Sequence, residues 1–347
     1  MTIVSTLLFS FASQAGHAAQ YVTVDVPFDR GTTLVGINSS NEAVGYSYDD
    51  RGQFYGFTFT PEGGLNDDII VAHSTIPEGI DDAGDVAGRY FDARNGTTPA
   101  HGFFMSSGGT VTKFDAPGAG GGGSVTGTFV TKMNAGGVLT GFFVGEDGIK
   151  HGYVRTIDGT LTVFDAPGAG TGVDQGTIPG AINDKGAICG KATDAGGVLH
   201  AFIRKSYGTI DTFDAPGAGT AEGQGTVCVA IAGDGRTLGY MIDGSGAWHS
   251  FLRARDGTFT LLDILGKPQA GVSLFDGRRL IGSFVDANGT VHSFIYGPGG
   301  AIKQIDEPDA GTGNSQGTTV SGIASGGVMI GGYVDSNSVS HGFMRIP

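Results

Sequence analysis

Six histidines recur at one place in a repeating pattern: His101, His151, His200, His249, His292 and His341, about 49 residues apart. Five are followed fourteen residues later by an acid: Asp115, Asp165, Asp214, Asp263 and Asp306. A histidine bonded to a carboxylate is the base-and-orienter half of a nucleophilic triad, so acyl transfer or hydrolysis is the chemistry these types could do. Their number argues the other way. A catalyst needs one such pair in one special place, whereas equivalent copies read as struts that each pin a repeat.

The elements that must position these pairs follow from one repeat. Thr177–Asn183, Ala187–Thr193, Val198–Arg204 and Thr209–Asp214 read as four strands, separated by the turn sequences Asp184-Lys-Gly, Asp194-Ala-Gly-Gly and Ser206-Tyr-Gly. A four-strand meander followed by a Gly-rich crossing is one blade of a β-propeller. First strands begin near Thr33, Ile76, Thr128, Thr177, Thr226, Ala270 and Thr319, so the expected fold is all-β, a seven-bladed propeller of four-stranded antiparallel blades. The last copy stops after its third strand at Pro347, while Tyr21-Val-Thr-Val-Asp25-Val-Pro27 matches the fourth-strand pattern Thr162-Val-Phe-Asp165-Ala-Pro167. The N-terminal strand is therefore expected to complete the last blade, closing the ring and removing its open edges, with Asp25 as the partner of His341. The one copy without His has Tyr55, and fourteen residues on stands Ile69 rather than an acid. Both partners vanish together, which points to contact between them. The aromatic two residues after each His (Phe103, Tyr153, Phe202, Phe251, Phe294, Phe343) shares its face and should pack between blades.

Other recurring polar residues allow bland readings. The loops Gly118–Gly123, Gly168–Gly172 and Gly217–Ala221 look like phosphate cradles but precede no helix and carry no Gly-Lys-Ser/Thr. They are crossings, usually ending in Gln-Gly-Thr, and Gln175, Gln224 and Gln316 are either ligand contacts or anchors on loop backbone. The series Asp49, Asp92, Asp194, Asp243, Asp286 and Asp335 closes each second strand and is explained by Asx turns. One Asp per copy does not make a calcium site, so neither metal nor cofactor is expected. Asn95-Gly-Thr and Asn288-Gly-Thr fit glycan acceptors but are first turn signals.

With 34 acids against 20 bases the net charge is −14, and no basic cluster appears, which argues against nucleic acid and anionic membranes as partners. Residues 1–19 hold an apolar run, Thr2–Ala12, then small residues, and read as a secretory signal preceding a single domain at 20–347. That implies a secreted or periplasmic protein. Cys189 and Cys228 lie inside apolar strands and are read as buried thiols.

At His200-Ala201-Phe202, with His-Gly-Phe at residues 101 and 341, the chain resembles the HAF family of extracellular repeat proteins. Ile182-Asn183 before a Gly and the recurring Asp-Ala-Pro are similar to that family too, over nearly everything from residue 21 onward. The resemblance implies export and repeated β units, and carries no reaction and no catalytic residue.

Function is expected to be binding, of a glycan or an extracellular protein partner, with Gln175, Gln224, Gln316, Glu146, Asp174 and Glu222 as candidate contacts. The alternative is an enzyme cleaving a polysaccharide or ester with loop carboxylates that break the repeat: Glu146, Asp147, Asp174, Glu222 and Glu307. A third reading is a structural surface or matrix protein.

Overall fold

The computed structural model describes residues 19–27, 29–93, 98–122, 125–262, 271–275, 279–297, 300–324 and 326–347. The expected signal (to residue 18), Asp263, the start of the sixth first strand at Ala270, and Asn95 lie outside them. Among the described residues every regular element is a strand. The strands form repeated antiparallel blades, here called units and numbered in chain order: residues 31–69, 74–114, 127–164, 176–213, 225–262, 271–305 and 317–346. In the fourth unit the strands are Gly176–Ile182, Ile188–Thr193, Leu199–Arg204 and Ile210–Phe213, within a few residues of the sequence reading. Residues 317–346 supply three strands, and Gln20–Val24 lies antiparallel on the last of them, from Gln20↔Ile346 to Val24↔Gly342. Hydrogen-bonded strand order gives two twelve-stranded sheets and one four-stranded sheet, each open.

The recurring residues explain why each unit forms and how it meets the next. Every second strand carries a glycine in the same register: Gly45, Gly88, Gly141, Gly190, Gly239, Gly282 and Gly331. A Cβ at Gly190 would sit 2.2 Å from the Ile178 carbonyl oxygen and 2.9 Å from the Phe202 ring. That ring, like its equivalents Phe57, Phe103, Tyr153, Phe251, Phe294 and Phe343, is completely buried, so the glycine is the floor on which the aromatic lies. Four residues after His, Arg155, Arg204, Arg253 and Arg345 lay their guanidinium groups over Phe104 and Phe114, Phe164, Phe213 and Phe259, and Tyr21 respectively.

Units are latched by backbone-directed side chains. The Thr of Gln-Gly-Thr accepts the backbone N–H of the preceding Asp-Ala-Pro alanine, as from Ala166 to Thr177 Oγ1 at 3.0 Å and from Ala215 to Thr226 Oγ1 at 2.9 Å. At the end of the fourth unit's first strand, Asn183 Oδ1 accepts the N–H groups of Lys185 and Ala187, and its Nδ2 donates to the Ala232 carbonyl of the next unit at 2.8 Å. Asn134 does the same toward Asn183, and Asn38 toward Asp81. Each such bond contributes about 1 kcal/mol, and their repetition fixes the spacing of units.

The cysteines correct the thiol reading. Cys189 in the fourth unit's second strand and Cys228 in the fifth unit's first strand form a disulfide, with Cα atoms 5.8 Å apart. Apolar alternation places both in cores but says nothing of the register between neighbouring units. Gly180 lets the chains close here, since a Cβ on it would lie 3.1 Å from the Cys228 carbonyl.

Candidate functional site

The His–Asp pairs form as spaced. His101, His151, His200, His292 and His341 bring Nδ1 to within 2.9–3.1 Å of Asp115, Asp165, Asp214, Asp306 and Asp25. Asp263, expected beside His249, lies outside the described residues. In the first unit Tyr55 donates to Asp49 Oδ2 at 3.4 Å, while Ile69 is buried opposite Gly56.

Sequence reasoning missed a second carboxylate on the same rings. His249 Nε2 lies 3.0 Å from Asp243 Oδ2, and His101, His200, His292 and His341 place Nε2 3.5–3.7 Å from Asp92, Asp194, Asp286 and Asp335. Asp194, Asp243, Asp286 and Asp335 make the expected Asx turns as well: Asp194 Oδ1 accepts the N–H groups of Gly196 and Val198 while Oδ2 faces His200. The spacing of six from Asp194, Asp243, Asp286 and Asp335 to the following His was the available signal; Asp92 stands nine before His101. In His101, His200, His292 and His341 both ring nitrogens face carboxylates, which marks these rings as struts.

The pH response follows. Partial burial pulls His200 down, but its bonds to Asp214 and Asp194 outweigh this and leave its pKa raised. Backbone N–H groups and the facing histidines hold Asp194, Asp286 and Asp335 below the usual carboxylate range. For Asp243 the Ser245 hydroxyl, His249 and the Ala247 N–H do so. A raised histidine stabilises fully below its unfolded value of about 6.5 and loses this as pH rises through its folded pKa. Depressed aspartates stabilise above about 3.9 and lose this on acidification. The expected result is a Tm highest between about pH 4 and 6.5. His200→Ala should cost about 1 kcal/mol of stability or less there for so exposed a pair, lowering Tm slightly, and flatten the alkaline decline. Melting curves from pH 3 to 9 check this; an alkaline limb unchanged in the variant contradicts it.

Most loop candidates are engaged with backbone or, for Asp174, with a lysine. Gln175 Oε1 accepts the Gly172 N–H at 2.8 Å and its Nε2 donates to the Ala195 carbonyl. Gln316 bonds Gly313 and Ser336 likewise, and Gln224 Oε1 accepts from Ala221. Asp174 takes Lys150 Nζ at 2.8 Å, and Asp147 caps Ile149. Glu146 and Glu222 are exposed on separate turns, whereas Glu307 is buried in place of a repeat alanine, and burial raises its pKa. The structure does not bring these acids together as a pair across one cleft.

What breaks the repeat lies deeper. The residue after each second-strand glycine is half-buried and differs between units: Tyr46, Arg89, Phe142, Lys191, Tyr240, Ser283 and Gly332. In the fifth unit Tyr240 stacks on Trp248, with ring centroids 4.4 Å apart and an interplanar angle of 17°. Trp248, the only tryptophan in the chain, begins the third strand and is 53% exposed. The two rings line a cleft of about 420 Å³ with Val229, Ser250, Gly271, Val272, Ser273 and Ser283. It exists because the sixth unit presents Gly271, Ser273 and Ser283 where bulk would fill the gap. Among the described residues, none of those lining it is charged. A smaller cleft, about 270 Å³, lies between the seventh and first units and includes Gln316, Thr33, Thr319, Ser321 and Ser340.

No family model matches the sequence, and no curated protein matches it. Solved structures do. The chain is similar to an acylaminoacyl peptidase from Pyrococcus horikoshii, with a TM-score of 0.55 at 13% identity over 92% of this chain and 52% of that one. It is also similar to dipeptidyl peptidase 4 from Porphyromonas gingivalis, with a TM-score of 0.51 at 8% identity over 90% of this chain and 53% of that one. The chain thus spans about half the length of these peptidases, and the likeness is one of fold alone. A Burkholderia pseudomallei lectin matches over its whole length at 14% identity and a TM-score of 0.46, covering 92% of this chain, a likeness too low to carry more.

Proposed function

We propose that this protein is an extracellular binding module: a closed seven-bladed β-propeller of HAF-type repeats, whose ligand is an uncharged saccharide seated on Trp248 and Tyr240. The stacked pair carries the reading. A half-exposed tryptophan braced flat by a tyrosine offers a rigid apolar platform, at little entropic cost, for the C–H face of a sugar ring. Serine hydroxyls at 250, 273 and 283 stand beside it, and a mostly apolar cleft with a few polar groups is what small-ligand sites look like. The uncharged lining favours a neutral ring over an anionic one.

Several observations support the wider reading. The pairing of Gln20–Val24 with Ser340–Ile346, and of Gly31 with Ser340 beside it, supports ring closure between the chain's ends. The Cys189–Cys228 bridge and the signal-like first residues support export to an oxidising compartment. Among the described residues no helix is long and apolar enough to cross a membrane.

A screen of neutral mono- and oligosaccharides by thermal shift and calorimetry tests the site. Binding by the wild type should weaken at least ~10-fold in Trp248→Ala, with little change in Tm because the ring is exposed. Saccharide binding undiminished in that variant overturns the assignment. Shortened products from a bound glycan would move the protein to the enzyme class.

A further inference from the structure

We propose a second, separate ligand site on the inner strands of the second and third units, where Arg89 and Lys132 receive a carboxylate, free or carried by a uronic acid. The repeat itself marks the place. At the first-strand bulge the units carry Val35, Glu78, Thr131, Gly180, Val229, Ser273 and Ser321, so Glu78 is the one charge in that series. One position on stand Gly36, Gly79, Lys132, Ala181, Ala230, Leu274 and Gly322, where Lys132 is again the one charge. Small or aliphatic residues satisfy the packing in every other copy. Nothing in the fold asks for a lysine here.

The two units approach closely at this point, with a Cβ on Gly79 meeting Met133 Cβ at 3.2 Å. Glu78 accepts a hydrogen bond from Arg89 Nη1 alone among that guanidinium's donors, and feels the charge of Lys132. Lys132 makes no hydrogen bond or ion pair among the described residues, so two cations share one carboxylate. Burial drives the lysine's pKa down and the glutamate's up, with only their mutual attraction, and that of Arg89, opposing it. The lysine as a whole is half-buried. A desolvated cation without a partner, beside a guanidinium with spare donors, is complementary to a planar anion. In a chain of net charge −14 such a surplus of positive charge is local and specific.

The test is calorimetry and thermal shift with acetate, glucuronate, glucose and inorganic phosphate at constant ionic strength. Acetate and glucuronate should bind and stabilise the wild type; a tighter glucuronate identifies the uronic acid as the source. Lys132→Met keeps the packing and removes the unpaired charge, so its unliganded Tm should rise, while carboxylate affinity falls at least ~10-fold. Arg89→Gln should also lose the carboxylate response. Trp248→Ala should keep it, which separates this site from the saccharide cleft. A carboxylate response unchanged in Lys132→Met, no response in the wild type, or an equal response to phosphate would each overturn the proposal.

Discussion

Deleting residues 2–27 is expected to yield a chain that aggregates or melts without cooperativity. The lost segment holds Gln20–Val24, the strand that covers the edge of Ser340–Ile346. With it goes Val24, which packs in one core with Leu34, Phe57 and Met344, and Tyr21, whose ring lies against Phe343 and under Arg345. Asp25 leaves His341, and Val26 releases Thr32 Oγ1. Burial of the valine and tyrosine alone is worth about 1.5–3 kcal/mol each. The ladder and latch bonds add about 1 kcal/mol apiece. Such a sum approaches the whole stability margin of about 5–15 kcal/mol. A bare edge strand is also a template for association. A synthetic peptide of residues 20–27 should partly restore a cooperative melt by adding back the strand. A soluble deletion with an unchanged Tm would sink the proposed closure of the ring.

The second large effect is expected at the glycine under the repeat aromatic. Phe202→Ala empties a completely buried ring site and should cost about 3–5 kcal/mol. Gly190→Ala forces a Cβ to within 2.2 Å of the Ile178 carbonyl oxygen, 2.8 Å of Pro179 Cα and 2.9 Å of the Phe202 ring. Two of those atoms are backbone and cannot swing away, so the cost should be at the upper end of overpacking, about 3 kcal/mol or more. The double variant should be less destabilised than the sum, because removing the ring relieves one of the three contacts. Denaturant melts of the four proteins read this directly. Strict additivity would mean that glycine and ring do not form one packing unit.

Much of this architecture was legible because its parts repeat. His-x-Phe and Asp-Ala-Pro return at fixed spacing in most copies, and each does one job where it occurs: strut and latch. Even the pairing of chain ends was visible, since Tyr21–Pro27 carries the fourth-strand pattern. Repetition also set the limit. The Cys189–Cys228 bridge depends on the register between neighbouring units, which strand alternation does not encode. The carboxylate at Nε2 of His101, His200, His249, His292 and His341 was hidden because an Asx turn already accounted for those aspartates. The clefts escaped notice for the opposite reason. Tyr240, Arg89 and Lys191 occupy one register position after a constant glycine, where variation between copies resembles noise until the units are laid side by side. The loop acids drew attention by breaking the pattern on the surface, but Asp147 and Asp174 are engaged by the Ile149 N–H and by Lys150, and Glu307 is buried.

Because Trp248 is the only tryptophan, its fluorescence reports on the proposed saccharide site and on nothing else in the chain. The most direct measurement is a titration of that emission with the neutral saccharides that raise Tm. The expected result is a saturable blue shift whose midpoint matches calorimetry, with quenching by iodide suppressed at saturation as the exposed ring is covered. An emission spectrum and iodide accessibility unchanged by a saccharide that binds would place the ligand elsewhere and contradict the assignment.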